Sequence, residues 1–233
     1  MKKMSVVLAL VAVVAMLALL AGTTLSANNQ AEEMMVEVSI TNLTGGQVMS
    51  PVFVARHGSG ADSLYSLGKS ASGDLAKMAE DADASGLLGA WDPQNNEHVS
   101  EAMVANLNGG PIPPGETVTM NFEIDDGNSM ISFASMLVST NDAFIGSNHL
   151  DVSKSRTIML NAYDSGTEVN SEDCAYIPGP PCGNHRHDPA EAEGFVYVHP
   201  GIHGGEGSDL DAAARDWRNP VARLSIKTWK VSR

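Results

Sequence analysis

Short runs of alternating apolar and polar residues recur along most of this 233-residue chain. Alternation of this kind predicts strands with one buried face, whereas the nearly continuous apolar and small residues of 129–138 predict a strand buried on both faces. Eight such segments are separated by turn residues: 35–42, 48–55, 103–107, 117–124, 129–138, 157–162, 194–199 and 221–231. They predict an all-β fold, an antiparallel eight-stranded β-sandwich, in which the first two strands pair as a hairpin.

Two segments depart from the strand pattern. Residues 64–88 carry apolar side chains at helical spacing, which predicts one or two short helices around 72–82. Because Glu80, Asp81 and Asp83 put negative charge at the helix end, where it is unfavourable, we expect a short helical insertion on the surface. Residues 164–193 predict one long irregular loop, and loops of that length are usually functional or disordered.

The amino terminus predicts export. Lys2 and Lys3 precede an apolar run over residues 6–21, and a polar stretch over 22–27 follows it. This order is typical of a secretory signal peptide, and the run is shorter than the roughly 20 residues of a membrane span. We predict a signal peptide over 1–27 with cleavage after Ala27, and a single domain over 28–233. The alternative is an uncleaved anchor.

The net charge narrows the class of partner, and the two cysteines predict a disulfide. The net charge is −14, and loss of the two signal-peptide lysines changes it to −16. Such a surface repels nucleic acid and anionic membranes and attracts cations, so we expect no nucleic-acid partner and no stable membrane insertion after signal cleavage. In the oxidising compartments expected for a secreted or periplasmic protein, Cys174 and Cys182 would form one disulfide. Two free thiols acting as metal ligands are the alternative.

Acidic residues in two turns offer candidate chemistry. Asp142 follows the buried strand of 129–138, and Asp164 and Glu168 lie four residues apart around a glycine turn. Hard oxygen ligands on adjacent loops at one end of a sandwich are what Ca²⁺ requires. The ordinary alternative is that these side chains are only solvated.

The same segments carry a family resemblance. Residues 132–146 resemble the spondin domain family, in which a Phe-Ala-Ser-Met-(Ile/Leu)-Val strand leads into a Ser-x-Asp turn followed by an aromatic residue. Residues 164–168 are similar to the Asp-Ala-Gly-Thr-Asp turn of that family, which includes F-spondin and mindin. Residues 36–42 and the turn after them are similar to the family's first hairpin. The resemblance spans residues 36–229.

The resemblance implies a C2-like eight-stranded sandwich with one Ca²⁺ held by three acidic side chains. Carried over by position, these are Asp142, Asp164 and Glu168. Animal members have Asp at the third position, and their aromatic residue comes one position earlier than Phe144. The implied function is that of a secreted adhesion or recognition module that contacts an unidentified surface or matrix protein or glycan. The chain is similar to a stand-alone, bacterial-type member without thrombospondin-type repeats.

Loop histidines provide a competing hypothesis. A cluster of them could hold Zn²⁺ or Cu²⁺ in a periplasmic or extracellular metal-binding protein or metalloenzyme. These residues are His185, His187, His199 and His203. The ordinary alternative is a set of polar loop histidines, and Pro200 and Gly201 exclude a helical zinc-protease pair. No enzyme is expected, because the chain lacks a Gly-x-Ser-x-Gly motif and Ser59 lies in a local glycine turn.

Overall fold

The computed structural model describes residues 34–125 and 127–231, and the predicted signal peptide lies outside them. Ten strands form two antiparallel sheets. They are β1 Met34–Asn42, β2 Val52–His57, β3 Val99–Ala105, β4 Thr117–Ile124, β5 Met130–Met136, β6 Ala143–Asp151, β7 Arg156–Leu160, β8 Ala162–Asp164, β9 Tyr197–Val198 and β10 Ala222–Lys230. In the described part of the chain, no helix is long and apolar enough to cross a membrane.

The sheets contain four and six strands, in the orders β4-β1-β10-β7 and β3-β2-β5-β6-β8-β9. The predicted all-β architecture is confirmed, but the predicted number of eight strands is wrong. Strand β6 is additional, because after its first three apolar residues the sequence is mostly polar and gives no alternating strand pattern. The predicted strand 157–162 is two strands, because the chain passes at Asn161 from β7 in one sheet to β8 in the other.

The predicted hairpin between the first two strands is also wrong. Strand β1 pairs with β4 and β10, whereas β2 pairs with β3 and β5 in the other sheet. The inward side chains of both sheets form one buried cluster, so the two strands contribute to the same core from opposite sides. Its fully buried members include Val36, Val38, Ile40, Val52, Val54, Ile131, Phe133, Ile145 and Leu224.

Three short helices complete the fold: α1 Gly73–Asp81, α2 Ser85–Ala90 and α3 Ala212–Arg215. Helix α1 begins where Ser72 Oγ accepts a hydrogen bond from the Leu75 amide at 3.1 Å. Leu75 and Met78 are fully buried in a second cluster with Phe53 and Phe144, from the outer face of the six-stranded sheet. The predicted surface insertion is therefore wrong: this segment covers one face of a sheet.

The helix packs on the sheet because burying its apolar side chains contributes more free energy than its unfavourable charge costs. Negative charge near a helix C-terminus costs about 0.3–1 kcal/mol, whereas burying one large aliphatic side chain contributes about 1.5–3 kcal/mol. Burial of Leu75 and Met78 therefore outweighs the unfavourable charge. The helix ends at Ala82, whose left-handed backbone (φ 59°) closes it without a basic residue.

The segment after β8 is irregular through residue 193, as predicted, apart from a 3-10 helix at Cys174–Tyr176. Cys174 and Cys182 form the predicted disulfide, with their Cα atoms 4.9 Å apart. The bond closes a small loop within this segment. The following strand, β9, is shorter than the predicted 194–199.

Candidate metal centre

Strand register brings Asp142 and Asp164 to the same end of the six-stranded sheet. Ala143, the first residue of β6, pairs with Asp164, the last residue of β8. Asp142 ends the β5–β6 turn, which Thr140 shapes by accepting from the Ala143 amide at 3.0 Å and donating to a turn carbonyl. Both carboxylates are completely buried, and Glu168, four residues after β8, is 1% exposed.

The turn over residues 165–168 wraps around one oxygen of Asp142. Asp142 Oδ2 accepts hydrogen bonds from Ser165 Oγ at 2.8 Å, the Thr167 amide at 2.8 Å and the Glu168 amide at 3.1 Å. Its other oxygen, Oδ1, is buried and has no hydrogen-bond partner among the described residues. The protein thus fixes one oxygen of this carboxylate by hydrogen bonds and offers no hydrogen-bond donor among the described residues to the other.

Asp164 is held by its own turn and by a chain of polar side chains. Its Oδ1 accepts from the Gly166 amide at 2.7 Å, and its Oδ2 accepts from Asn170 Nδ2 at 2.6 Å. Asn170 Oδ1 in turn lies 2.9 Å from His199 Nε2. Because His199 Nδ1 accepts from the Gly201 amide at 3.0 Å, the proton of this imidazole is on Nε2 and is donated to Asn170.

Glycine is required at position 166. Its backbone is left-handed (φ +68°), and a Cβ atom there would lie 2.3 Å from the Phe195 carbonyl oxygen. The Gly194 amide donates to the Gly166 carbonyl at 2.9 Å, so the 164–168 turn packs directly on residues 194–195. The sequence pattern identified this turn, but not the segment that closes over it.

Burial makes all three carboxyls harder to ionise. Burial raises the pKa of Asp142, despite the opposing effect of its hydrogen bonds. Burial, and then the charge of Asp142, raise the pKa of Asp164 to about 7. Burial is also the main cause that raises the pKa of Glu168 to about 7. A bound cation would supply the opposite charge that favours ionised carboxylates here.

Glu168 also belongs to a second group of side chains. Its Oε1 accepts from the Asp188 amide at 2.7 Å and lies 3.1 Å from His187 Nδ1. His187 Nδ1 is equally close, at 3.1 Å, to Glu80 Oε2 in the last turn of α1. Over residues 34–125 and 127–231, the one set of three candidate ligands with all ligand atoms within 4.8 Å is Glu80, Glu168 and His187. Among the described residues, the predicted calcium ligands Asp142, Asp164 and Glu168 do not together form a set with this spacing.

The four loop histidines do not form a common ligand set in the described part of the chain. His185 Nδ1 lies 3.1 Å from Asp81 Oδ1, and His187 joins the set just described. His199 is buried behind Asp164, and burial lowers its pKa to about 4. His203 Nδ1 is 3.4 Å from Glu172. The sequence pattern identifies His187 as a candidate ligand but misses Glu80. In that pattern Glu80 counts only as an unfavourable negative charge at the end of the helix.

The Ser59 fragment is organised differently from a catalytic triad. His57 is completely buried, its Nδ1 donates to the Gly58 carbonyl at 2.7 Å, and its Nε2 accepts from Ser132 Oγ at 2.8 Å. The Ser132 hydroxyl oxygen accepts in turn from the His149 amide at 3.0 Å. The serine that contacts His57 is therefore a buried residue of β5.

Comparison with known families adds one finding. Residues 44–176 match the Spondin_N family, over more than half of the chain. The match includes the three carboxylates of the candidate centre and the first cysteine of the disulfide. No curated protein matches the chain.

Proposed function

Because this chain belongs to the spondin N-terminal domain family, we propose that it is an extracellular, calcium-binding adhesion or recognition module. The family supports a recognition or adhesion type of module, and the disulfide fits a location outside the cytoplasm, secreted or periplasmic. The proposed ligands of Ca²⁺ are Asp142, Asp164 and Glu168. The proposed partner is a surface or matrix protein or glycan.

The observation that carries the calcium proposal is the buried, unpartnered Oδ1 of Asp142. A buried acceptor without a partner is unfavourable, and more so when it is charged; the charge of Asp142 is also one cause that raises the pKa of Asp164. Carboxylate oxygens are the hard ligands that Ca²⁺ takes in proteins. A bound ion would supply positive charge to this group and would join the β5–β6 turn to the 164–168 turn.

The recognition part of the proposal is supported by exposed apolar side chains beside the same turn. Phe195 and Val198 are each 44% exposed, and Phe195 lies on the segment that packs against Gly166. Surface apolar groups next to a metal-fixed loop are suited to partner contact. Bound calcium would therefore keep the surface formed by Phe195 and Val198 in a single conformation.

Thermal unfolding with calcium or with chelator tests the calcium proposal. Saturation to about 100 times Kd stabilises a folded protein by about 2.7 kcal/mol. For a domain of this size, that corresponds to a rise in Tm of about 5–11 °C. Asp142→Asn keeps the side-chain shape and removes the charge, so we expect it to abolish the rise. Glu123→Gln removes one exposed charge from β4 and should keep the full response.

Two results would contradict the proposal. An identical melting temperature of the parent protein in millimolar calcium and in chelator would show that the fold holds no calcium. A full calcium response in Asp142→Asn would place the ion elsewhere. Circular dichroism of each variant in chelator establishes that it is folded before its calcium response is compared.

A further inference from the structure

We propose that Glu80, Glu168 and His187 form a second metal site, which binds a divalent transition-metal ion of the Zn²⁺ type. The three residues come from separate parts of the chain: the last turn of α1, the turn after β8 and the long irregular segment. This site goes beyond the proposed calcium function and shares one residue, Glu168, with it. The composition, spacing, burial and charge of the set carry the inference.

The spacing of the three side chains suits tetrahedral coordination. His187 Nδ1 is 3.1 Å from Glu80 Oε2 and 3.1 Å from Glu168 Oε1, and all three ligand atoms lie within 4.8 Å of one another. Zinc bonds to imidazole nitrogen and carboxylate oxygen are about 2.0–2.2 Å long, which puts tetrahedral ligands roughly 3.3–3.5 Å apart. Small side-chain movements would therefore admit the ion, with the fourth position available to water.

The composition of the set favours a transition metal over calcium. One imidazole and two carboxylates match the nitrogen and oxygen ligands of Zn²⁺ sites, whereas Ca²⁺ takes oxygen ligands. In both His187 contacts the imidazole presents the same atom, Nδ1, to the carboxylates. The structure thus places the one nitrogen ligand between two oxygen ligands.

A divalent ion at this site would neutralise two carboxylates that water reaches poorly. The side chain of Glu168 is 1% exposed and that of Glu80 is 15% exposed, so two carboxylates share a poorly solvated position. His187 is the ion-pair partner that these two carboxylates share. A divalent ion would neutralise both and would fasten the long segment to α1.

A protonated His187 between two carboxylates would have similar spacing, and zinc titration separates the two explanations. Zinc affinity is measured in calcium-free buffer on tag-free protein, by competition with a chromophoric chelator. We expect the parent protein to bind one zinc ion, and His187→Gln and Glu80→Gln to weaken it at least about tenfold, because even outer-shell changes cost about 10–100-fold.

The neighbouring histidine provides a matched control. His185 is on the same segment, is similarly exposed, and contacts Asp81 of the same helix at the same 3.1 Å distance. His185→Gln should therefore keep the parent's zinc affinity. Circular dichroism and the melting temperature in chelator establish that each variant is folded, so that lost binding reports a lost ligand.

The result separates this site from the calcium centre. Asp142→Asn should lose the calcium response and keep zinc binding. The inference is overturned if the parent binds no zinc, or if His187→Gln and Glu80→Gln bind it as tightly as the parent does. It is also overturned if Asp142→Asn loses zinc while His187→Gln keeps it, since zinc would then enter the calcium centre. A failed calcium response in the parent would leave the zinc comparison unaffected.

Discussion

Replacing Gly166 with alanine tests how the 164–168 turn holds the proposed calcium ligands. The added Cβ would lie 2.3 Å from the Phe195 carbonyl oxygen and 2.6 Å from the Phe195 amide nitrogen. Because both atoms belong to the backbone, either this turn or residues 194–195 must move. The movement would displace the Thr167 and Glu168 amides that donate to Asp142.

Two effects set the magnitude. A non-glycine residue in the left-handed region costs roughly 1–2 kcal/mol, and forcing an extra methyl group into a packed site costs about 1–3 kcal/mol. The expected loss in free energy of unfolding for Gly166→Ala is therefore about 2–5 kcal/mol. At about 2–4 °C per kcal/mol for a domain of this size, Tm should fall by roughly 4–20 °C.

The assay is denaturant unfolding in chelator, followed by calcium titration of the same samples. Gly115→Ala is the matched control, because Gly115 is also left-handed (φ +82°) but has no atom within 4 Å of the added Cβ. Gly115→Ala should lose only the roughly 1–2 kcal/mol that a left-handed non-glycine residue costs, and it should keep the parent's calcium response. If Gly166→Ala is no less stable than Gly115→Ala and binds calcium as the parent does, the close approach of Phe195 does not hold this turn.

Two further predictions concern parts of the fold outside the metal centre. Burial lowers the pKa of His57, with a smaller contribution from the nearby His149. The stabilisation from neutral His57 is therefore complete above about pH 6.5 and is lost as the pH falls below it, by at most about 1.4 kcal/mol per pH unit. Denaturation at several pH values should show a steeper loss for the parent than for His57→Gln, and equal slopes would contradict this. Reducing the Cys174–Cys182 bond should cost about 2–3 kcal/mol without loss of β-sheet circular dichroism, because the closed loop is short and lies outside both sheets. Complete unfolding on reduction would show that the bond is required by the fold.

The strand pattern predicted which residues are buried better than it predicted which strands are neighbours. Val36, Val38 and Ile40 alternate along β1 and all three point into the core. Alternation identifies the buried face of a strand, but it does not specify the sheet that the strand joins. For this reason the sequence pattern predicts a pairing of β1 with β2, whereas β1 pairs with β4 and β10.

Tertiary contacts account for the other differences. The mostly polar second half of β6 is a strand because it pairs with β5. Its extended conformation therefore depends on residues of β5 and not on its own pattern. One side of helix α1 is buried because the outer face of β2 presents Phe53 to it. Neither segment carries this information within itself, so a reading of local pattern underestimates both.

The candidate centre divides in the same way. The sequence predicts that the turn ending at Asp142 and the turn over 164–168 meet at one end of the sandwich. The pairing of Ala143 with Asp164 brings these two turns to the same end of the six-stranded sheet. The contact between Glu80 and His187 joins residues 107 positions apart in sequence. Nothing in the sequence near either residue specifies the other, so only the folded chain reveals this pair.

The two oxygens of Asp142 explain why the centre is organised around this residue. Hydrogen bonds from the 165–168 turn fix Oδ2, whereas Oδ1 is buried without a partner. An unpaired buried acceptor costs about 1–3 kcal/mol, and more if it is charged, so the metal-free fold carries this penalty. A cation that contacts Oδ1 would remove the penalty while the turn keeps the carboxylate in place. The stability lost in chelator would then be recovered on calcium binding, and an uncharged residue of the same shape would remove most of that difference.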